Sequence, residues 1–269
     1  MLRKLVAIGL VLMLLMVGYT PAQAISYGEF DGTDHPNVGS MVLKTSGGDY
    51  YQVCSGTLID SNVFLTASHC TIGWDSYFAA HPGSEILVTF DPTISTSGTY
   101  YTGQMFTNPA YIDARGADDP GDVAVIVLDQ APGIAPASLP TSGLLDQLKD
   151  QHILNDTLFT AVGYGTVRET NQKAWQSILD NLDRNRAEQE FLSLTNAWIT
   201  FSMNLATGNG GTCYGDSGGP HFAHLNGVET NIVVAVTVTG DANCKATDKD
   251  YRVDTPQARA FLSEFVTLP

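Results

Sequence analysis

From Ile25 to the C-terminus the chain alternates short β-prone runs with turn formers, a cadence that restricts it to an all-β architecture. Strands are predicted near Val38–Leu43, Tyr51–Ile59, Phe64–Ala67, Ile86–Phe90, Tyr100–Phe106, Val123–Leu128, Phe159–Tyr164, Trp198–Phe201, Asn231–Thr239 and Tyr251–Val253. The stretch DQAPGIAPASLPTSG, with Pro132, Pro136 and Pro140 and little periodicity, reads as a linker between two sheets or barrels. Trp175, Ile178, Leu179 and Leu182 recur at helical spacing, so 172–194 is predicted as a helical insertion followed by a strand at 191–194. At the far end Thr255 is placed to cap a helix and Pro256 to begin it, and Ala258, Phe261, Leu262 and Phe265 form its apolar stripe.

The first 24 residues have another character: Arg3 and Lys4, an apolar run from Leu5 to Val17, then small and polar residues ending Ala22-Gln23-Ala24. That is the layout of a secretory signal cleaved after Ala24, with an apolar run too short for the roughly 20 residues a membrane span needs. The protein is therefore expected outside the cell, with no membrane contact after cleavage. Of 269 residues, 13 are Lys or Arg and 28 are Asp or Glu; without Arg3 and Lys4 the balance is 11 against 28, or −17. A field of that sign repels nucleic acid and anionic lipid and favours a soluble monomer. At 43% apolar the chain can bury a real core, as one large domain or two moderate ones. Cys54, Cys70, Cys213 and Cys244 in an exported chain read as two disulfides, with three pairings open. There is no C-x-x-C spacing, and neither a metal nor a cofactor is expected.

Against this background residues 210–220, GGTCYGDSGGP, hold five glycines around one serine and one aspartate. Glycine adds nothing to a core and raises the entropy cost of ordering, so packing did not select this run. A serine hydroxyl attacks only when a base removes its proton, and the oxyanion formed needs donors already aimed at it. Small residues around Ser217 let the backbone turn sharply and present the Gly215 and Ser217 N–H groups to one point. A base is available in Phe64-Leu65-Thr66-Ala67-Ser68-His69-Cys70, where His69 ends an apolar strand. An orienting carboxylate is available in Gly121-Asp122-Val123-Ala124-Val125-Ile126, where Asp122 stands at the mouth of another.

Together these stretches resemble the chymotrypsin/trypsin-like serine proteases, which carry T-A-x-H-C, D-[I/V]-A-hydrophobic and G-D-S-G-G-P motifs in that order; here they are Thr66–Cys70, Asp122–Ile126 and Gly215–Pro220. The resemblance runs from Ile25 to the C-terminal helix and is weakest over 140–195. It implies two antiparallel six-stranded β-barrels with a C-terminal helix, divided at about residue 140: 25–140 carries His69 and Asp122, and 141–269 carries Ser217. It further implies His69 as general base and acid, Asp122 as the group holding its tautomer, Ser217 as nucleophile, and Gly215 with Ser217 as the oxyanion hole. The disulfides become Cys54–Cys70 and Cys213–Cys244. The activity implied is that of a secreted serine endopeptidase acting on polypeptides through an acyl-enzyme. The family's freed N-terminus pairs with the aspartate before the nucleophile, which here makes Ile25 the partner of Asp216. With no Lys or Arg between Lys4 and Lys44, signal cleavage itself would expose that terminus.

The resemblance thins at the specificity pocket. The residue six before the nucleophile forms its floor and an acid there selects Lys or Arg; Gly211 occupies that position, so such a preference is not expected unless an acid reaches in from elsewhere. Thr212 and Tyr214 would line the pocket and Gly240 would pair with substrate backbone. Val238-Thr239-Gly240 stands where relatives have Ser-Trp-Gly. Lys245 and Lys249 near the pocket-forming segments leave room for acidic or uncharged side chains. Two other readings are a catalytically inactive binding protein on the same scaffold and a secreted esterase. GDSGG also fits the G-x-S-x-G elbow of α/β-hydrolases, but His221 and His224 follow the serine by too few residues for that fold.

Overall fold

The computed structural model describes residues 25–114, 116–168 and 178–269. The secretory-signal reading of residues 1–24 and the helical reading at Trp175 therefore lie outside the described residues.

After a short β1 (Glu29–Phe30), the first half of the chain forms β2 (Val38–Lys44), β3 (Tyr50–Leu58), β4 (Val63–Thr66), β5 (Glu85–Thr89), β6 (Gly103–Thr107) and β7 (Ala124–Leu128). They make one antiparallel sheet in the order β5-β2-β3-β4-β7-β6, curled so that Val88 of β5 bridges to Tyr101 just before β6. The second half contributes β8 (Leu158–Gly163), the small β9–β10 ribbon (Val167–Arg168 and Ile178–Leu179), β11 (Asn185–Leu194), β12 (Trp198–Ser202), β13 (Pro220–Leu225), β14 (Val228–Gly240) and β15 (Thr247–Arg252). Here the order is β11-β12-β15-β14-β13-β8, and β8 pairs again with β11, closing a six-stranded barrel to which β1 adds at one edge. The fold is thus mostly β, with one closed barrel and one curled half-barrel, and a short helix Pro256–Leu262 capped by the Thr255 side chain.

The strand expectations place most of these elements. The insertion is corrected: Ile178 and Leu179 lie in β10, and the strand expected over 191–194 already begins at Asn185. Its pairings with both β8 and β12 outweigh the local helical spacing.

One apolar cluster spans both halves, joining Val42, Leu65 and Val125 to Tyr164, Val236 and Phe261. The seam is also tied by charge. Buried Arg184 donates to Asp31 Oδ2 at 2.7 Å and to the carbonyls of Val38, Phe90 and Gly32, joining the N-terminal segment to both sheets. His35 bonds Asp31 through Nδ1 and Glu229 Oε1 through Nε2 at 2.8 Å, fastening the same segment to β14. Burial opposes charge on His35, but these two carboxylates outweigh it and hold the imidazole up at about 9; Glu229, burial notwithstanding, is drawn down to about 2 by His35 and Thr160.

Stability from His35 is complete below its ordinary 6.5 and is lost as pH climbs through 9, while that from Glu229 is complete above its ordinary 4.5 and is lost as pH falls towards 2. Thermal unfolding followed by circular dichroism should therefore give a plateau between pH 4.5 and 6.5 and a midpoint several degrees lower at pH 9.5, on the scale of about 2–4 °C per kcal/mol. His35→Phe, which keeps the stacking on Phe222, should remove the alkaline slope; an unchanged slope would assign it to other groups.

Candidate active site

The apolar strand β4 ends at Thr66, and Ala67 leads into a single helical turn, Ser68–Thr71, that carries His69. Cys70 in this turn is bonded to Cys54 on β3, and Ser68 Oγ donates to the Val123 carbonyl at 2.8 Å, so the turn is fixed to β3 and to the residue that leads into β7. Asp122 therefore meets His69 twice: the His69 N–H donates to Oδ1 at 3.0 Å and Nδ1 lies 2.9 Å from Oδ2. The Asp122 side chain is 4% exposed, while that of His69 is 20% exposed. With Nδ1–H given to a carboxylate, Nε2 keeps the lone pair that a general base needs.

The glycine-rich loop is seated on the same disulfide. The Ser217 carbonyl accepts the Ser55 N–H at 2.8 Å and lies 3.6 Å from Cys70 Sγ. Gly218 has φ +79°, and a Cβ there would come within 2.1 Å of Thr66 Oγ1, so only glycine lets this loop approach β4. The peptide orientations follow from the carbonyls. Tyr214 C=O accepts from Thr166 N–H at 2.7 Å and Asp216 C=O from Gly219 N–H at 2.8 Å. A trans peptide then points the Gly215 and Ser217 N–H groups the opposite way, and among the described residues neither donates to a backbone carbonyl. The Gly215 carbonyl is held by Gln52 Nε2 at 2.7 Å and Ser55 Oγ at 3.2 Å.

Asp216, fully buried, accepts the N–H groups of Gly165 at 2.8 Å and Cys213 at 2.9 Å; burial pushes its carboxyl up to about 7. Ile25 is also fully buried, and Ser26 exchanges both backbone hydrogen bonds with Gly211, at 2.8 and 2.9 Å. The N-terminal segment thus lies along the glycine-rich stretch that ends in Asp216 and Ser217.

Beside Ser217 opens a cleft of about 220 Å³, lined by Thr212, Tyr214, Thr237, Val238, Thr239 and Gly240 among others, with Cys213–Cys244 tying its two walls. Thr212, Tyr214 and Gly240, proposed from the sequence as substrate-binding, are among its lining residues. Gly211 is withdrawn from the cleft lining by its pairing with Ser26, and a Cβ on it would fall 2.3 Å from Gln189 Nε2. Behind this cleft lie His221, which the sequence offers only as a histidine too near the serine for a hydrolase elbow, and Asp248 and Asp250, whose alternation along β15 was their one sequence signal.

The model of the trypsin family matches residues 28–261. The chain is 28% identical over 220 residues to a trypsin of Saccharopolyspora erythraea, covering 77% of this chain and 82% of that one. It is 30% identical over 193 residues to chymotrypsin-like elastase family member 1 of Macaca fascicularis (68% and 66% covered) and 28% over 216 residues to its namesake in Homo sapiens (77% and 78%). The chain belongs to the trypsin family. Within that class it is a serine-type endopeptidase, a hydrolase of the chymotrypsin-like fold. Among the described residues no helix is long and apolar enough to cross a membrane.

Proposed function

We propose that the chain is a secreted, monomeric endopeptidase that cleaves polypeptides through an acyl-enzyme, with Ser217 as nucleophile, His69 as base and acid, and Asp122 as the group that orients His69. The observation that carries this reading is the two-point grip of one buried carboxylate on His69, beside a loop whose Gly215 and Ser217 N–H groups have no backbone acceptor among the described residues. Ser217 Oγ attacks the substrate carbonyl carbon as its proton passes to His69 Nε2. The resulting oxyanion is received by the Gly215 and Ser217 N–H groups. Collapse breaks the C–N bond, and His69 returns the proton to the departing amine. Water, deprotonated by the same imidazole, then releases the acyl group and restores Ser217.

Asp216 needs a cation, and the α-amino group of Ile25, freed by signal cleavage, would supply one: the pair would lower the carboxyl from its raised value and lift the amine above its usual 7.7–8.0. A fluorophosphonate probe applied to culture medium should label the enzyme at Ser217, and the labelled chain should begin at Ile25. Failure to label would overturn the catalytic reading; labelling of a chain with another start would overturn only the assignment of its N-terminus.

A further inference from the structure

Directly behind the cleft the closed barrel buries an unusual amount of charge. Asp248 and Asp250, two residues apart on β15, face the same way and are fully buried, as is His221 on β13; their ligating atoms lie within 4.8 Å of one another. Burying carboxylates costs several kcal/mol each unless they are well paired, and apolar residues of similar size often serve stability as well or better. Stability alone gives no reason for this cluster, whereas its contacts lead to the cleft from two sides. Asp248 Oδ1 accepts from Thr212 Oγ1 at 2.6 Å, and Oδ2 accepts from Gln189 Nε2 at 2.9 Å and from the Thr212 N–H at 3.2 Å. His221 Nε2 lies 3.1 Å from Thr237 Oγ1 and 3.4 Å from Asp250 Oδ1. Thr212 and Thr237 both line the cleft.

The direction of these hydrogen bonds decides what the cleft can accept. The Thr212 hydroxyl has one proton and spends it on Asp248, so it offers the cleft only lone pairs, backed by a carboxylate. Gln189, which fills the space a side chain at 211 would take, gives its amide to the same carboxylate. Asp248 of β15 thus stands behind Thr212 and Gln189, next to position 211. Burial and the neighbouring Asp248 push Asp250 up to about 8, and Asp250 in turn raises His221 against the burial that opposes its charge.

Resting on the endopeptidase reading above, we propose that Asp248, acting through Thr212, is the specificity-determining residue of the cleft, and that the cleft takes a substrate side chain that donates hydrogen bonds, lysine foremost, and rejects aspartate and glutamate.

The test compares kcat/KM on otherwise identical peptides carrying Lys, Leu or Glu before the scissile bond, with competent enzyme counted by fluorophosphonate titration. The wild type should prefer Lys to Leu and cleave Glu least. Asp248→Asn should lower the Lys-to-Leu ratio by about 100-fold, the size of one hydrogen bond to a charged group. Thr212→Val, which leaves Asp248 in place, should lower the ratio in the same direction, and Thr212→Ser should restore it. A ratio is independent of the fraction folded, so poor folding of one variant does not blunt the test. A Lys-to-Leu ratio unmoved by both Asp248→Asn and Thr212→Val, or a wild type that favours Glu, overturns the proposal. If the probe labels Ser217 while the ratio stays unmoved, the specificity assignment alone fails; if the probe does not label, the endopeptidase reading fails with it.

Discussion

Ser217→Ala is expected to lower kcat on a peptide substrate by about 10⁶ while leaving the fold and substrate binding in place. The hydroxyl itself makes no structural hydrogen bond among the described residues; what holds this residue is its backbone, through Ser55 N–H and the carbonyl of Ser217. Alanine keeps that backbone, and Gly218 and Gly219 keep their bonds to Thr237 and Asp216. On the proposed mechanism the variant loses the nucleophile alone, and the two N–H groups at 215 and 217 stay available to polarise a bound carbonyl. Activity should remain above the uncatalysed rate for that reason. A variant that loses less than about 100-fold would move the nucleophile elsewhere.

Asp122→Asn is expected to lower kcat by about 10⁴ at neutral pH. The two oxygens of Asp122 have separate partners on His69, the main-chain N–H and Nδ1. Asparagine can serve the first with its carbonyl, but then offers an NH₂ to Nδ1. The imidazole answers by putting its proton on Nε2, where it can no longer accept one from Ser217. The geometry survives and the tautomer is wrong, so KM should change little while kcat collapses. Rapid single-turnover measurements should place the loss in acylation; an effect on KM alone would make Asp122 a merely structural acid.

The motifs proposed to carry the chemistry stood out in the sequence because their residue types are not those that core packing selects. Thr66–Cys70 and Asp122–Ile126 pointed to the strand ends that hold His69 and Asp122 against each other, and the disulfides Cys54–Cys70 and Cys213–Cys244 form as the family resemblance implied. What escaped was decided by partners distant in sequence. The long strand 185–194 looked helical at its approach because Ile178, Leu179 and Leu182 happen to recur with a helical period, yet β8 and β12 offer it a ladder on both sides. β13, beginning at Pro220 and bearing two histidines, had too little β-branched character to stand out. β15 was placed too late, near Tyr251, because Thr247-Asp248-Lys249-Asp250 reads as a polar loop. Its aspartates face the barrel interior instead, where Thr212, Gln189 and His221 receive them.

Ser55 belongs to the first sheet, yet its N–H holds the Ser217 carbonyl, its hydroxyl reaches the Gly215 carbonyl and it accepts the N–H of Tyr164 at 3.0 Å. On the proposed mechanism, the nucleophile of one half is thus moored to the half that carries its base. Any slippage between the halves is transmitted straight to the reacting atoms, and catalytic competence becomes a local report on how well the interface between them is closed.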